Sequence, residues 1–305
     1  MSVLTATYNR ASTLPRVWES LRAQTWREFE WIVIDDGSTD GTRALIEEYA
    51  ARAEFPVYYE RQENRGKHVA INRAAAVARG ELAAILDSDD ACVPKALERF
   101  AYYWTTIPEE RRPLFYAIVC HCADPSGRRI GGSFPWEIVD ARGLDARYVW
   151  KVPGEKWGAV RTDLLRSHPF PEDRDRTLVP ESLVWDRLAQ RYLARFVNED
   201  LRIYHLTPGA TSLGSSGDPA SHPWGRMEQH RLVIDEQLEY FRQAPLAFAA
   251  AAAHYVRFAR HAGLSGREQR KALAHRGAKL LRFAAAPFGL AAFLYDRGRR
   301  WMRRS

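Results

Sequence analysis

The chain has 305 residues, of which 46% are apolar and 27% are charged, and its formal net charge is +7. These values are ordinary for a folded globular protein and exclude a chain that is disordered, collagen-like or coiled-coil as a whole. The length allows about two domains, or one large α/β domain with an appendage. The three cysteines are too few for a disulfide framework and indicate a reducing cytosol.

The first 105 residues alternate short β-rich runs with helical stretches. The predicted strands are Val3–Thr7, Trp31–Asp35, Val57–Arg61 and Leu82–Leu86. The predicted helices are Leu14–Gln24, Thr42–Arg52, Val69–Ala78 and Pro94–Trp104. This alternation predicts an α/β fold with a mainly parallel twisted sheet and helices on both faces. Such sheets bind ligands beyond the carboxyl ends of their strands, so the residues that follow each strand are candidates for a site.

Residues 106–225 are less regular than the first part of the chain. The predicted elements here are strands at Leu114–Ala123, Arg129–Phe134 and Arg195–Tyr204 and a helix at Ser182–Tyr192. The segment Thr207–Pro223 is rich in glycine, proline and serine. This composition predicts a mobile loop, which we expect to close over a bound substrate and exclude water.

From residue 226 onward the pattern is helical, and the charge is concentrated at the end. Residues 276–305 contain eight basic residues and one acidic residue, so they account for the whole net charge. The longest apolar run, Phe283–Tyr295, is interrupted by Pro287 and Gly289 and is shorter than the roughly 20 residues of a membrane span. We expect a basic segment in the interface of an anionic membrane, or else a helix with a solvated basic face.

Acidic residues follow two of the predicted strands. Asp87 and Asp89 lie two apart after the fourth strand. Carboxylates of this kind suit Mg²⁺ or Mn²⁺, which completes its coordination with substrate phosphates. Asp36 follows the second strand, where its carboxylate is a suitable acceptor for a nucleobase N–H, and Tyr8 follows the first, where its ring is available for stacking. The alternatives are an aspartate-rich turn that caps the next helix, a turn carboxylate and a surface tyrosine.

Four blocks of this sequence resemble the family 2 glycosyltransferases in content, order and spacing. They are Thr7–Arg10, Trp31–Thr42, Asn64–Gly66 and Gly80–Asp90. The resemblance is dense over residues 1–105, looser to about residue 206 and absent beyond. It implies a nucleotide-sugar-binding domain of the GT-A fold, a UDP-, GDP- or dTDP-sugar donor, and transfer with inversion at the anomeric carbon.

The resemblance also implies roles for the donor-binding residues. Ala6 and Tyr8 would line the base pocket, and Asp36 would bind the base. Asp87 would contact the ribose or the sugar, and Asp89 would bind the metal on the diphosphate.

Further candidates lie outside the four blocks. Lys67 is a candidate for a phosphate contact, Arg202 for an additional donor contact, and His205 for a further metal contact. Family members carry a Glu-Asp pair before a tryptophan-containing helix, and Glu181 occupies the Asp position of that pair. Glu181 is therefore the expected general base, with Asp186 as the second candidate; the alternative is that Glu181 only favours the helix N-terminus.

These observations predict a metal-dependent inverting glycosyltransferase that acts on a glycan or lipid-linked acceptor. We expect a catalytic domain over residues 1–225, divided at residue 105 into donor and acceptor halves, and a helical extension over 226–305. No signal peptide is expected, and the enzyme is expected at the inner face of the cell membrane. The alternatives are a nucleotidyltransferase, which lacks support because no glycine-rich basic loop follows the first strand, and a non-enzymatic nucleic-acid- or membrane-binding protein. Nucleic acid is not an expected partner, because residues 1–275 carry no net charge.

Overall fold

The computed structural model describes residues 1–172, 179–205 and 221–302, and the chain divides into two compact units. Unit 1 comprises Met1–Glu172 and Val184–Pro208, and unit 2 comprises Asp173–Leu183 and Gly209–Ser305. Most of the predicted loop Thr207–Pro223 lies outside the described residues.

Unit 1 is built on a nine-stranded sheet. Its strands are β1 (Ser2–Thr7), β2 (Glu30–Asp35), β3 (Val57–Arg61), β4 (Leu82–Ile85), β5 (Ala91–Cys92), β6 (Phe115–Ala123), β7 (Ile138–Arg142), β8 (Lys156–Arg161) and β9 (Leu193–Ile203). The order across the sheet is β3-β2-β1-β4-β8-β6-β9-β5, with β7 paired to β9. All six residues of β2 are buried, as a strand covered on both faces by helices requires.

Helices connect these strands and cover the sheet. They are α1 (Leu14–Arg22), α2 (Thr42–Arg52), α3 (Lys67–Val77), α4 (Ala96–Thr105), α5 (Asp145–Tyr148) and α6 (Thr162–Ser167). A further helix, α7 (Ser182–Arg191), spans the sequence boundary between the units. The four predicted strands and four predicted helices of the first 105 residues are all present, with ends displaced by a few residues.

The second half of the sheet differs from the prediction. The pairings of β1 with β2 and β4, and of β2 with β3, are parallel as expected, and so is that of β6 with β9. The pairings β4–β8, β6–β8, β5–β9 and β7–β9 are antiparallel, so the sheet is mixed. This arrangement places β8, which the sequence analysis missed, between β4 and β6.

The predicted strand Arg129–Phe134 is wrong. Only Arg129 forms an isolated bridge, to Ala123. Gly131 has a φ of +103°, and a Cβ there would lie 2.2 Å from the carbonyl oxygen of Pro153. A strand cannot contain this left-handed backbone, so the segment turns instead, and the nearby strand is β7.

Unit 2 is helical throughout its described residues. Its helices are α8 (Pro223–Glu236), α9 (Pro245–His261), α10 (Gly266–Lys271) and α11 (Arg276–Met302). Their shared core includes Ile234, Tyr255 and Ala259. Asp235 accepts backbone hydrogen bonds from Ala274 and His275 at 2.9 and 2.8 Å, which fixes the chain just before α11.

Pro287 and Gly289, which interrupt the apolar run in the sequence, do not interrupt the helix, because α11 continues through both. The expectation that no stretch is long enough for a membrane span is therefore wrong. A Cβ at Gly289 would lie 2.5 Å from the carbonyl oxygen of Ala253, so the glycine permits close contact with α9. Residues Arg276–Arg299 form a helix long and apolar enough to cross a membrane by length and composition, and 17% of its most apolar window is buried.

Candidate active site

The loops after β1 and β2 are joined by side chain–backbone hydrogen bonds. The Thr39 amide donates to Asn9 Oδ1 at 2.7 Å, and the Asn9 amide donates to Ser38 Oγ at 2.9 Å. Asn9 has a φ of +51°, a left-handed conformation that asparagine tolerates better than most residues. The connection leaves the preceding Tyr8 with 46% of its surface exposed, as a ring that stacks on a base would be.

Asp36 is buried at the end of β2 and holds the loop that precedes α3. Its carboxylate accepts from Gln62 Nε2 at 2.6 Å and from the amides of Arg65 and Gly66, both at 2.8 Å. An ionised carboxylate has about four acceptor positions, so one remains for a nucleobase donor. The base-binding role of Asp36 stays a prediction, and its observed role is to order the Asn64–Gly66 block.

Asp35, the neighbour of Asp36, has a structural function that the sequence did not reveal. It is fully buried, and it accepts from the Ser38 amide at 2.8 Å and from the Tyr59 hydroxyl at 3.0 Å. Burial, together with this hydrogen bond, raises the pKa of Tyr59 to about 12. Asp35 therefore fixes the turn that presents Asp36.

The ends of β4 and β9 meet in a cluster of carboxylates and cations. Lys67 pairs with Asp87 Oδ1, and Arg202 Nη2 reaches Asp87 Oδ2 at 2.6 Å. Arg202 also donates through Nε to Asp90 Oδ2 at 2.8 Å. The structure thus brings together Lys67, Asp87 and Arg202, three residues predicted to bind the donor, and adds Asp90, whose carboxylate the prediction left without a role.

Burial and ion pairing act in opposite directions on the charges of this cluster. Burial disfavours the ionised form of Asp87, but Lys67 and Arg202 outweigh it and hold the pKa of this carboxyl well below its usual range. Burial raises the pKa of Asp90, which Arg202 only partly offsets. Burial lowers the pKa of Arg202, but Asp87 and Asp90 outweigh it and raise that pKa.

Asp89 is the least occupied carboxylate of the Asp87–Asp90 turn. Its side chain is 31% exposed, and its ion pair with Arg10 is long at 3.8 Å. The His205 amide donates to Asp90 Oδ1 at 2.8 Å, so His205 lies at the same turn. Among the described residues, no group of three or more histidine, cysteine or acidic side chains forms a metal cluster. An accessible carboxylate nonetheless fits Mg²⁺ or Mn²⁺ bound to a nucleotide, because such an ion takes one or two protein carboxylates and fills its shell with phosphate and water.

The two candidates for the general base have different surroundings. Asp186 is buried on α7, and Arg147 binds both its oxygens, at 2.6 and 2.8 Å. Burial opposes the charge on Arg147, but Asp186 outweighs it and raises the pKa of the guanidinium. A carboxylate held in this bidentate pair is poorly placed to accept a proton from a substrate. Glu181 is partly exposed and immediately precedes α7.

A cleft of about 670 Å³ adjoins the ends of the parallel strands β6 and β9. The described residues that line it are Asp124, Arg128, Arg129, Ile130, Gly154, Glu155 and Tyr204. Arg129 is held by Asp200, with its Nε 2.7 Å from Oδ1. The lining combines an aromatic ring with carboxylate and guanidinium groups, which suits a ligand rich in hydroxyl groups.

Residues 2–109 match the sequence model of glycosyl transferase family 2. EpsH of Bacillus subtilis is 39% identical over 176 residues, which are 55% of this chain and 48% of that protein. Validoxylamine A glucosyltransferase of Streptomyces hygroscopicus subsp. jinggangensis is 31% identical over 180 residues, which are 55% of this chain and 41% of that protein. The aligned parts cover between a third and a half of the first curated relatives.

Solved structures show the same fold over nearly the whole chain. S. aureus TarS 1–349 in complex with UDP-GlcNAc superposes with a TM-score of 0.65 at 18% identity, covering 98% of this chain and 91% of that one. The mannosyltransferase PcManGT from Pyrobaculum calidifontis, in complex with GDP-Man and Mn²⁺, gives a TM-score of 0.51 at 18% identity, covering 97% and 86%. The fold is therefore of the GT-A type, and residues 2–109 of this chain are similar to the family 2 glycosyltransferases.

Proposed function

We propose that this protein transfers a sugar from a nucleoside diphosphate sugar to a hydroxyl group of a cell-envelope glycan or a lipid-linked acceptor, with inversion at the anomeric carbon. The observation that carries the proposal is the edge of the sheet, where the residues after β1, β2 and β4 combine an exposed Tyr8, the ordered loop around Asp36 and the Asp87–Asp90 turn. An aromatic face, a carboxylate with one open acceptor position and an accessible Asp89 are the groups that a base and a metal-bound diphosphate require.

In this proposal the donor lies across the strand ends. Tyr8 stacks on the base, Ala6 lines the pocket beneath it, and Asp36 accepts a base N–H. Lys67 and Arg202 supply positive charge near the diphosphate, although each is held by Asp87 before the donor binds. Asp89 and His205 would hold a Mg²⁺ or Mn²⁺ ion, which when bound would neutralise charge on the leaving diphosphate.

Glu181 is proposed as the general base. It removes the proton of the acceptor hydroxyl as that oxygen bonds to the anomeric carbon and the bond to the diphosphate breaks. Asp186 is instead assigned to positioning, because Arg147 occupies both of its oxygens. The cleft around Tyr204 and Glu155 is the proposed acceptor site, because Tyr204 lies at the end of β9, between Arg202 and His205 in the sequence.

The proposed class of acceptor is inferred from the names of similar proteins. TuaG of Bacillus subtilis, 39% identical over 101 residues, is named for teichuronic acid biosynthesis, and its matched part is 39% of its length. Teichuronic acid is a cell-envelope polymer, so a related acceptor is proposed here. We also propose that the enzyme works at the cytoplasmic face of the membrane, where lipid-linked acceptors would be available.

Donor binding is the first test. The purified full chain is screened by thermal shift against UDP-, GDP- and dTDP-sugars, with and without Mn²⁺. At least one nucleotide sugar should raise the melting temperature, and Mn²⁺ should enlarge the shift. Asp36→Asn should reduce the shift, whereas Asp163→Asn, a change to an exposed carboxylate on α6, should leave it unchanged. Nucleoside triphosphates are screened beside the sugars, and a chain stabilised by a triphosphate but by no nucleotide sugar would favour a nucleotidyltransferase instead.

The two base candidates are separated by substitution. Glu181→Gln should lower kcat by roughly 10²-fold with little change in the donor KM, because general-base catalysis typically contributes that much. Asp186→Asn should lower the free energy of unfolding by about 2 kcal/mol, because it removes the charged partner of Arg147. Wild-type kcat in Glu181→Gln combined with no turnover in a folded Asp186→Asn would reverse the assignment.

A further inference from the structure

Unit 2 presents a continuous apolar face along its longest helix. Six large apolar side chains of α11 are exposed, and we call them the α11 face: Leu280, Phe283, Phe288, Leu290, Leu294 and Tyr295. Phe283 and Phe288 are 75% and 72% exposed. The face is about 22 Å long at 1.5 Å per residue, and its side chains are between 40% and 75% exposed. A contiguous apolar patch with this exposure marks a surface that binds another molecule or a membrane.

The opposite side of α11 is packed within unit 2. Ala278, Ala285 and Gly289 are the small residues on that side, and the first two belong to the unit 2 core. Asp296 pairs with Arg257 Nη2 at 2.6 Å and with His261 Nε2 at 2.9 Å, which ties α11 to α9. A helix that spans a bilayer would have to give up these contacts and carry Asp296 toward hydrocarbon. The packing therefore favours a helix that keeps its place on α9 and offers only its outer side.

The charges around the α11 face identify the occupant. Exposed arginines stand at both ends, Arg276 before the apolar stretch and Arg297 and Arg299 after it. The one acidic residue of residues 276–305 is Asp296, which is buried and paired. A second copy of this surface would bring cations against cations with no carboxylate between them. An anionic lipid headgroup supplies the missing negative charge, and the acyl region beneath it accepts the phenylalanines.

We propose that the α11 face docks unit 2 onto an anionic lipid bilayer, with α11 lying in the plane of the interface while its inner side stays packed on α9. Phe283 and Phe288 enter the apolar boundary, and Arg276, Arg297 and Arg299 contact phosphate or carboxylate headgroups. This inference specifies how the enzyme is held at the membrane, and it does not depend on the sugar transfer proposed above.

Flotation of the full chain with lipid vesicles tests the docking. Vesicles of phosphatidylcholine with 30% phosphatidylglycerol should carry the protein, pure phosphatidylcholine vesicles should not, and raising the salt from 0.1 to 0.5 M should weaken binding. Phe283→Glu combined with Phe288→Glu should lower the partition coefficient at least tenfold. The matched control is Leu114→Glu combined with Val77→Glu, which makes the same kind of change at exposed apolar residues of unit 1 and should bind like the wild type.

The arginines give a second, graded readout. Arg297→Gln combined with Arg299→Gln should lower the partition coefficient by about fivefold per cation, because each contributes about 1 kcal/mol near an anionic surface. An alkaline carbonate wash should release the bound protein, whereas it would not release a protein held by a membrane-spanning helix. Retention after that wash, or undiminished binding of the double phenylalanine variant, would overturn the proposal.

Two further measurements distinguish a lipid surface from a second copy of the chain as the partner of the α11 face. Sedimentation equilibrium without lipid should give the same mass for the wild type and for the variant with both phenylalanines replaced. A wild-type dimer that this variant loses, without vesicle binding by the wild type, would assign the α11 face to a second copy instead. Donor-induced thermal shifts should be equal in wild type and the phenylalanine variant. Loss of vesicle binding with intact donor binding in the phenylalanine variant supports the docking face. A wild-type protein that binds vesicles but no donor would overturn the glycosyltransferase proposal alone.

Discussion

The two units differ in what they expose to solvent. Unit 1 buries most apolar residues of its strands, with Tyr58 and Ile138 as exceptions, and it gathers carboxylates and cations at one end of the sheet, including Asp36 and Asp89. Unit 2 buries and pairs its carboxylates Asp235 and Asp296, and it exposes large apolar groups instead, such as Phe283. Exposed polar groups in a concave setting suit chemistry, and an exposed apolar face suits attachment. We therefore place the proposed donor binding in unit 1 and the proposed membrane attachment in unit 2.

Asp89→Asn should have the largest effect on activity and almost none on the fold. The proposed metal contact is lost, so transfer should fall by at least about 10²-fold, a change of about 3 kcal/mol or more in transition-state stabilisation. Among the described residues the Asp89 side chain has a long ion pair with Arg10, so the melting temperature should shift by no more than a surface substitution does. Initial rates with saturating Mn²⁺ and a thermal melt measure both quantities. An Asp89→Asn enzyme with wild-type rates in the presence of chelator would refute the metal assignment.

Arg202→Gln should produce the largest loss of stability in unit 1. Arg202 is buried and serves both Asp87 and Asp90, so its removal leaves two carboxylates with less compensation. Breaking a buried ion pair typically costs about 3 kcal/mol or more in the free energy of unfolding. Urea denaturation measures the loss.

Arg128→Gln is the control for this substitution. Arg128 is exposed and pairs with Asp124 at the surface, so its replacement should change stability by less than about 1 kcal/mol. Equal effects of the two substitutions would contradict the assigned importance of burial.

Gly289→Ala should destabilise unit 2, although alanine favours helices. The added Cβ would lie 2.5 Å from the Ala253 carbonyl oxygen and 2.6 Å from Val256 Cβ, so the two helices must move apart. Such overpacking costs about 1–3 kcal/mol. Gly298→Ala in the same helix meets no atom within 4 Å and should instead stabilise by about 0.5–1 kcal/mol. Thermal denaturation should therefore show a change in stability of opposite sign for the two substitutions. If both stabilise the protein, α11 does not pack closely on α9 at Gly289.

The first half of unit 1 could be predicted because its signals are local. A parallel strand covered on both faces is a continuous apolar run, and β2 is an example of one that ends at Asp35 and a glycine turn. The resemblance in the four blocks then indicated which strand ends carry the site. Tyr8 and Asp36 accordingly lie at strand ends in the structure, where the sequence analysis expected them.

The rest of the fold and of the candidate site depends on contacts between residues that are distant in the sequence, so the sequence analysis did not predict it. Nothing near Arg202 in the sequence indicates that Asp87 and Asp90, more than 100 residues earlier, are its partners. The edge strand β7 is only partly buried and β8 begins and ends with a basic residue, so neither has a strong apolar pattern. The close packing of α11 on α9 at Gly289 likewise involves residues more than 30 positions earlier, Ala253 and Val256, which the local pattern does not indicate.

The smallest expected effect is on stability at acid pH, and it distinguishes a partly buried imidazole of unit 2, His230, from the charged groups at the surface of that unit. His230 stacks on His254 and Phe258, with ring centroids 5.0 and 5.7 Å apart. Burial, together with the charges of His254, Arg226 and Arg257, lowers the pKa of His230 to about 3. In the unfolded chain the same ring titrates near 6.5, so below that pH the unfolded state binds a proton that the folded state does not. The stability that His230 contributes is therefore complete above pH 6.5 and is lost as the pH falls toward 3.

Because the ring of His230 is only partly buried, water screens its charge, and the loss at pH 5 should be about 1 kcal/mol rather than the roughly 2 kcal/mol of a fully buried imidazole. His230→Phe keeps an aromatic ring against Phe258 and removes the titrating group. Its free energy of unfolding should therefore fall less steeply between pH 7 and 5 than that of the wild type, by about that 1 kcal/mol. His275→Phe is the control, since His275 is largely exposed and its replacement should leave most of the acid dependence in place. Parallel stability curves for wild type and His230→Phe would show that acid acts on unit 2 through other groups.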